Sequence, residues 1–319
     1  MKFTRTIAAG AAAAMMSGGA MAADIAVIAG SIEDGFFNLI KKGVDDATLV
    51  VEANGGSVNY LRTQNYDNFG PDLVQLINTA VSQNVDGIAI PIWVPDSQVP
   101  ALQSAAEQGI VIMMYNSGAP HKDEVSGINY FGSDEYVAGV AGGEYMAMNG
   151  AKKIICHIQI PGAVNLETRC SGVADGAAKH GSEVIRLPLP ANLDQNVTGT
   201  SEAIKAELLK DPSVDGVITL AAWASDAASV GIQQAGATGR VQLGTFDMSP
   251  AVLERISQGT QTMAIDQQPY LQGFLATSML AAHLDFGTEL PTDPVLTGPA
   301  IVDASNIESA LVGVAKGAR

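Results

Sequence analysis

NVDGIAIPIWVPD, residues 84–96, and SVDGVITLAAWASD, residues 213–226, are one pattern written twice. After one polar residue each reads Val-Asp-Gly, runs through a short apolar stretch and carries a tryptophan just beyond it, Trp93 and Trp223. The second copy holds one extra residue. After each copy come a helical stretch, a glycine (Gly109, Gly239) and a second apolar run that ends in an aromatic beside a polar residue, Tyr115-Asn116 and Phe246-Asp247. A repeat offset by roughly 130 residues predicts two α/β halves of related topology. Chance likeness between any two strand–helix units is the competing reading, and the paired tryptophans weigh against it.

The same alternation extends outward along the chain. DIAVIA precedes helical periodicity over Gly35–Ala53, SVNYLR precedes a stretch over Pro71–Gln83, and DGIAIPI precedes one over Ser97–Gln108. GIVIMMY, KKIICHI, EVIRLPL, DGVITLA, VQLGTF and QTMAID follow the same rule. Continuous apolar strands, rather than alternating ones, belong to parallel sheets covered on both faces. The expected fold is α/β: two Rossmann-like lobes, each a parallel sheet flanked by helices, with a ligand cleft between them. A chain of 319 residues has room for two such domains.

Composition narrows the function. The chain is 47% hydrophobic and carries 33 acidic against 17 basic residues, a formal −16. Such acidity argues against nucleic acid or an anionic membrane surface as partner. Lys2 and Arg5, the apolar run TIAAGAAAAMM and Ala20-Met21-Ala22 read as an export signal over residues 1–22, cleaved after Ala22. The alternative is an unprocessed amphipathic helix. In an oxidising compartment the cysteine pair, Cys156 and Cys170, reads as a disulfide, with two buried thiols as the alternative.

In open parallel sheets a ligand lies beyond the carboxyl ends of the strands. The residues there are Ser31, Asp34, Phe36 and Phe37 after the first strand, Trp93 after the third, and Tyr115 and Asn116 at the fourth. Asn165 and Arg169 follow IICHI, Trp223 follows DGVITLA, Asp247 follows VQLGTF, and Asp266 and Gln267 end QTMAI. Singly, each has a plainer reading: Asp34, Asp96 and Asp247 as helix caps, the aromatics as core, Arg169 as a surface residue, Asp266-Gln267 as a turn before Pro269. Together they combine aromatic faces with planar polar groups. Aromatic faces pack on the C–H surface of a sugar or polyol, carboxylates accept from hydroxyls, guanidinium donates, and amides do both. No nucleophile elbow, P-loop, dinucleotide glycine motif or zinc helix motif occurs, and the four histidines show no metal-ligand spacing. The reading is therefore a binding protein without catalytic residues, cofactor or metal.

SIEDGFF, RCSGV, TFDMSP and DQQPYLQG, in that order, resemble the motifs of periplasmic sugar-binding proteins of the ribose- and galactose-binding type, which serve ABC importers. The likeness covers nearly the whole chain beyond the export signal. It implies three crossings between lobes, with lobes over 24–131 plus 268–296 and 132–267 plus 297–319, and it places Asp266-Gln267 at a crossing. By motif it implies ligand roles for Asp34, Phe36, Phe37, Asn116, Arg169, Asp247 and Gln267. It implies a monomer in the periplasm that captures a monosaccharide or polyol by hinge closure and passes it to a membrane permease, or, as the alternative, presents it to a chemoreceptor or sensor kinase. Where the family often has Asp-Arg, this chain has Tyr115-Asn116; where it often has Asn-Asp, this chain has Ala221-Ala222-Trp223. These departures point away from ribose toward another pentose, a deoxy sugar or a polyol. A transcription regulator of the same fold would need a DNA-binding helix pair and a basic face, for which this chain has an export signal and a net negative charge.

Overall fold

The computed structural model describes residues 22–319; the expected export signal lies outside the described residues except for Ala22. The described chain forms two six-stranded sheets. The first is built from β1 (Asp24–Ala29), α1 (Phe36–Ala53), β2 (Ser57–Arg62), α2 (Phe69–Ser82), β3 (Gly87–Ile90), α3 (Pro95–Glu107), β4 (Val111–Asn116) and β5 (Tyr130–Ser133). The second follows with α4 (Glu135–Met148), β6 (Lys153–Ile158), α5 (Val164–Ala178), β7 (Glu183–Pro188), α6 (Val197–Lys210), β8 (Gly216–Thr219), α7 (Ala222–Gln234), β9 (Gln242–Phe246), α8 (Pro250–Ser257) and β10 (Met263–Asp266). The chain then returns through α9 (Pro269–Phe286) to β11 (Val295–Gly298) on the first sheet, crosses again to β12 (Ala300–Val302) on the second, and ends in α10 (Glu308–Ala315).

The strand orders are β11-β5-β4-β3-β1-β2 and β12-β10-β9-β8-β6-β7, the same winding twice. All pairings are parallel except that of β12 with β10. The repeated phrases fall on β3 and β8, equivalent central strands whose residues GIAI and GVIT are wholly buried, as strands covered on both faces require. Between the sheets the chain passes three times: from β5 into α4, from β10 into α9, and from β11 to β12.

Small residues let paired helices approach closely in both halves. A Cβ built at Gly139 of α4 would stand 2.2 Å from the Arg169 carbonyl of α5, and one at Gly43 of α1 would stand 2.1 Å from the Tyr270 carbonyl of α9. The first crossing fixes the height of α5 and of the residues its opening turns present. Cys156 of β6 and Cys170 of α5, both fully buried, are joined with Cα atoms 5.9 Å apart, which ties α5 to its sheet.

His157 follows Cys156 and points to the opposite face of β6. It is fully buried, neither ring nitrogen has a partner among the described residues, and the Trp223 ring stands edge-on at 6.4 Å. Burial alone pushes its pKa down to about 4 from 6.5. The native state therefore keeps a neutral imidazole while the unfolded chain takes up a proton as pH falls through 6.5. Stability should drop by roughly 3 kcal/mol between pH 7 and pH 4 on this account. His157→Leu should remove that part of the slope. Urea unfolding of both proteins at several pH values measures it, and parallel pH profiles would refute the assignment.

Candidate functional site

The carboxyl ends of the two sheets face each other across the seam. The first lobe contributes aromatic rings. Phe36 and Phe37 meet edge to face with centroids 5.4 Å apart, Phe37 meets Trp93 at 5.5 Å, Trp93 meets Phe69 at 5.3 Å and Phe69 meets Tyr66 at 4.8 Å. Polar side chains fix this wall from behind. The fully buried Gln98 accepts from the Trp93 and Val94 amides, at 2.8 and 2.9 Å, and donates to the Pro91 carbonyl at 2.8 Å, so the loop after β3 holds one shape. Arg62 donates to the Gly30, Ser31 and Asp34 carbonyls and so braces the turn before α1. Asp34 accepts from the Phe36 amide at 3.0 Å and from the Tyr66 hydroxyl at 2.9 Å.

Opposite stands a polar wall from the second lobe. Arg169, 2% exposed, lies over the Phe246 ring at 4.5 Å. It donates to Glu135 through Nε (2.5 Å) and Nη2 (3.1 Å), and through Nη2 to Gln267 Oε1 at 2.6 Å. The Gln267 amide nitrogen donates in turn to Asp247 Oδ1. Burial pushes the Asp247 carboxyl up to about 7 against the pull of Arg169. Burial also raises Asp34 and Glu135, opposed by Tyr66, the Phe36 amide and Arg62 at the first and by Arg169 at the second.

Asn116 and Asp247 occupy equivalent positions, the ends of the fourth strand in each lobe, and both adopt a left-handed backbone, with φ of 60° and 68°. Non-glycine residues pay for that conformation, and such residues gather where side chains must be aimed. Here the turn swings each side chain out of its sheet and into the seam. Asn116 donates to Gln272 at 3.0 Å; Gln272 and Thr297 both donate to the Gln267 carbonyl, at 3.0 and 2.7 Å. The β10–α9 crossing, which carries Gln267, is thus pinned to the first lobe. A direct bond also joins the lobes, from the Val164 amide to the Trp93 carbonyl at 2.9 Å.

These residues line a cavity of about 50 Å³ at the seam. It collects Asp34, Phe36, Phe37, Trp93 and Asn116 from one side with Asn165, Arg169, Asp247 and Gln267 from the other. Four residues of the strand-end set stand elsewhere. Ser31 is buried and donates to the Gln64 carbonyl at 2.9 Å, holding the turn. Tyr115 is fully buried and donates to the Ile28 carbonyl at 2.7 Å, behind the cavity. Trp223 sits in the first turn of α7 and lines a neighbouring cavity. Asp266 closes a turn to the Gln268 amide and pairs with Arg319. Asp247 is not a helix cap, since Ser249 caps α8, and Asp96 lies inside the first turn of α3. Tyr66, Phe69 and Gln159 also line the cavity. They follow β2 and β6 and were open to the same strand-end rule. The role of Glu135 as the partner of Arg169 has no local signal.

A ring of aromatic faces opposite a carboxylate, a guanidinium and amides can hold a flat, hydroxyl-rimmed molecule. Among the described residues no group of three or more His, Cys, Asp or Glu is placed to hold a metal ion.

The family profile described as "Periplasmic binding protein domain" matches residues 7–289. A carbohydrate transporter from Acidothermus cellulolyticus, solved with myo-inositol, is 32% identical and superposes with a TM-score of 0.84 over 93% of this chain and 99% of that one. A solute-binding protein from Burkholderia graminis, solved with D-arabinose, is 27% identical with a TM-score of 0.78 over 91% and 98%. The xylose/arabinose-binding protein XylF of Sulfolobus acidocaldarius is 26% identical over 87% of this chain and 70% of its own length.

Proposed function

The chain belongs to the periplasmic binding protein domain family, and on that premise we propose that it is an exported receptor that captures a monosaccharide or cyclitol between its lobes and delivers it to an ABC permease. The observation that carries this reading is the composition of the seam cavity: aromatic rings from one lobe and the Arg169–Gln267–Asp247 chain from the other. Neither wall alone surrounds a ligand. A ligand that needs both favours the closed arrangement, and lobes of 24–131 plus 268–296 and 132–267 plus 297–319 would turn on the three crossings. The relatives solved with myo-inositol and D-arabinose support a cyclitol or pentose.

A sugar enters as the lobes part, and Gln267 gives up its two partners to it. Arg169 Nη2 and Asp247 Oδ1 are then free to donate to, and accept from, ligand hydroxyls, and charge-assisted bonds of that kind are short and directional.

The test is a thermal-shift screen of the exported protein against pentoses, hexoses, deoxy sugars and cyclitols. A ligand at about 100 times its Kd stabilises the native state by about 2.7 kcal/mol. A cyclitol or a pentose should give the largest shift. If no member of the panel moves the transition, the cleft does not bind this class and the reading is wrong.

A further inference from the structure

Asp266 ends β10, one residue before Gln267, and is 1% exposed. Its two oxygens have different partners. Oδ1 accepts from the Gln268 amide at 2.8 Å and closes the turn between β10 and α9, in which Gln268 takes a left-handed backbone with φ of 53°. Oδ2 accepts from Arg319, from Nε at 2.7 Å and from Nη2 at 2.5 Å. Arg319 is the one cation paired with Asp266 among the described residues.

Arg319 reaches this carboxylate from α10. That helix belongs to the second lobe, where its Ala310 shares a buried cluster with Val252, Ile256 and Val302. The guanidinium also donates through Nη1 to the Ser309 carbonyl at 2.8 Å, which ties its head to α10 as well as to Asp266. The stem crosses the helix at Gly313, where a Cβ would stand 2.5 Å from Arg319 Cδ, so the glycine leaves the arginine its path.

The turn braced in this way is where the three crossings meet. A Cβ at Gly298 would stand 2.8 Å from the Asp266 carbonyl oxygen and 2.8 Å from Ser133 Oγ, which sets the third crossing against the second and the first. The Gln268 side chain donates to the Thr297 carbonyl at 2.6 Å. Gln267 leaves the turn with its carbonyl bonded to Thr297 and Gln272, and its side chain bridges Arg169 and Asp247. A planar amide can serve two groups on two other elements only while its own backbone stays put, and supporting residues must hold such a constellation to within about 0.5 Å.

Taking the seam cavity as the ligand site, we propose that Arg319 is a positioning residue for it: by neutralising Asp266 it holds the β10–α9 turn in the shape that aims Gln267. Without the guanidinium a carboxylate is left buried and unpaired, and it regains solvation by turning toward water and away from the Gln268 amide. The turn then loosens, and Gln267 loses its aim.

Hydrogen exchange of the free protein and calorimetric titration with myo-inositol and D-arabinose test this in Arg319→Ala. In the free variant the Gln268 amide should exchange about tenfold faster or more, with a smaller rise at Ile218 in the central strand β8. Affinity for a probe that binds the parent should fall by about tenfold. Asp266→Asn/Arg319→Ala keeps an acceptor for the Gln268 amide and strands no charge, so it should regain most of both losses. Gln268 exchange that stays unchanged, or rises no more than at Ile218, would overturn this role. So would a loosened turn with unchanged affinity, or a double variant no better than Arg319→Ala. A turn that loosens in Arg319→Ala and recovers in the double variant, in a protein whose parent takes up neither probe, would support Arg319 as the brace of Gln267 and count against the ligand reading alone.

Discussion

Arg169→Ala is expected to cost about 2–4 kcal/mol of ligand binding, about 30- to 1000-fold in affinity, because it removes charge-assisted donors to hydroxyls from a site that excludes water. It should also destabilise the unliganded fold. Arg169 is 2% exposed and its counter-charge is Glu135, whose side chain is 10% exposed beside it. Removing one partner of a buried pair strands the other, at a cost of about 3–5 kcal/mol. The two losses separate in a second variant. Arg169→Ala/Glu135→Gln no longer strands a carboxylate, so it should regain much of the stability while binding stays lost. Asp247→Ala should weaken binding with a smaller change in folding, since its one polar partner in the structure is the Gln267 amide. Calorimetric titration with denaturant unfolding of the four proteins gives both quantities. If Arg169→Ala binds the identified sugar as the parent does, these residues are scaffold.

Loss of the Cys156–Cys170 bridge is the second large effect. The cysteines are 14 residues apart, and closing a loop of about that size is worth about 3 kcal/mol in the chain-entropy account. Cys156→Ala/Cys170→Ala should therefore lower stability by about 2–4 kcal/mol. Binding should weaken as well, by a smaller factor, because Arg169 is the residue before Cys170 and α5 loses its tie to β6. The material from the cell envelope should show no free thiol when denatured without reductant. Two titratable thiols in that material, or a double variant as stable as the parent, would show that the bridge plays no part.

The winding of the fold could be read because the chain states it twice. The Val-Asp-Gly phrases mark β3 and β8, and the Tyr-Asn and Phe-Asp pairs mark the equivalent ends of β4 and β9. Reading the residues after each strand reached the lining of the cavity for a physical reason: parallel strands end at the seam, and whatever follows them is there. The rule loses resolution at a single residue. Tyr115 lies inside β4 and its side chain stays on a sheet face, whereas Asn116, the last residue of the strand, is swung outward by its left-handed backbone. Trp93 stands in the loop before α3, which starts five residues after the end of β3, whereas α7 starts three residues after the end of β8, so Trp223 falls in its first turn and lines another cavity. The counter-charge of Arg169 is Glu135, at the start of α4, and no local pattern encodes that meeting.

The central claim is that one ligand is held by both lobes at once. Small-angle X-ray scattering of the exported protein, free and saturated with the sugar or cyclitol found in the thermal screen, tests it most directly. The radius of gyration should fall on saturation, and Asp247→Ala should contract only at higher ligand concentration. An unchanged radius at proven saturation would mean that ligand does not draw the lobes together, and would contradict the account.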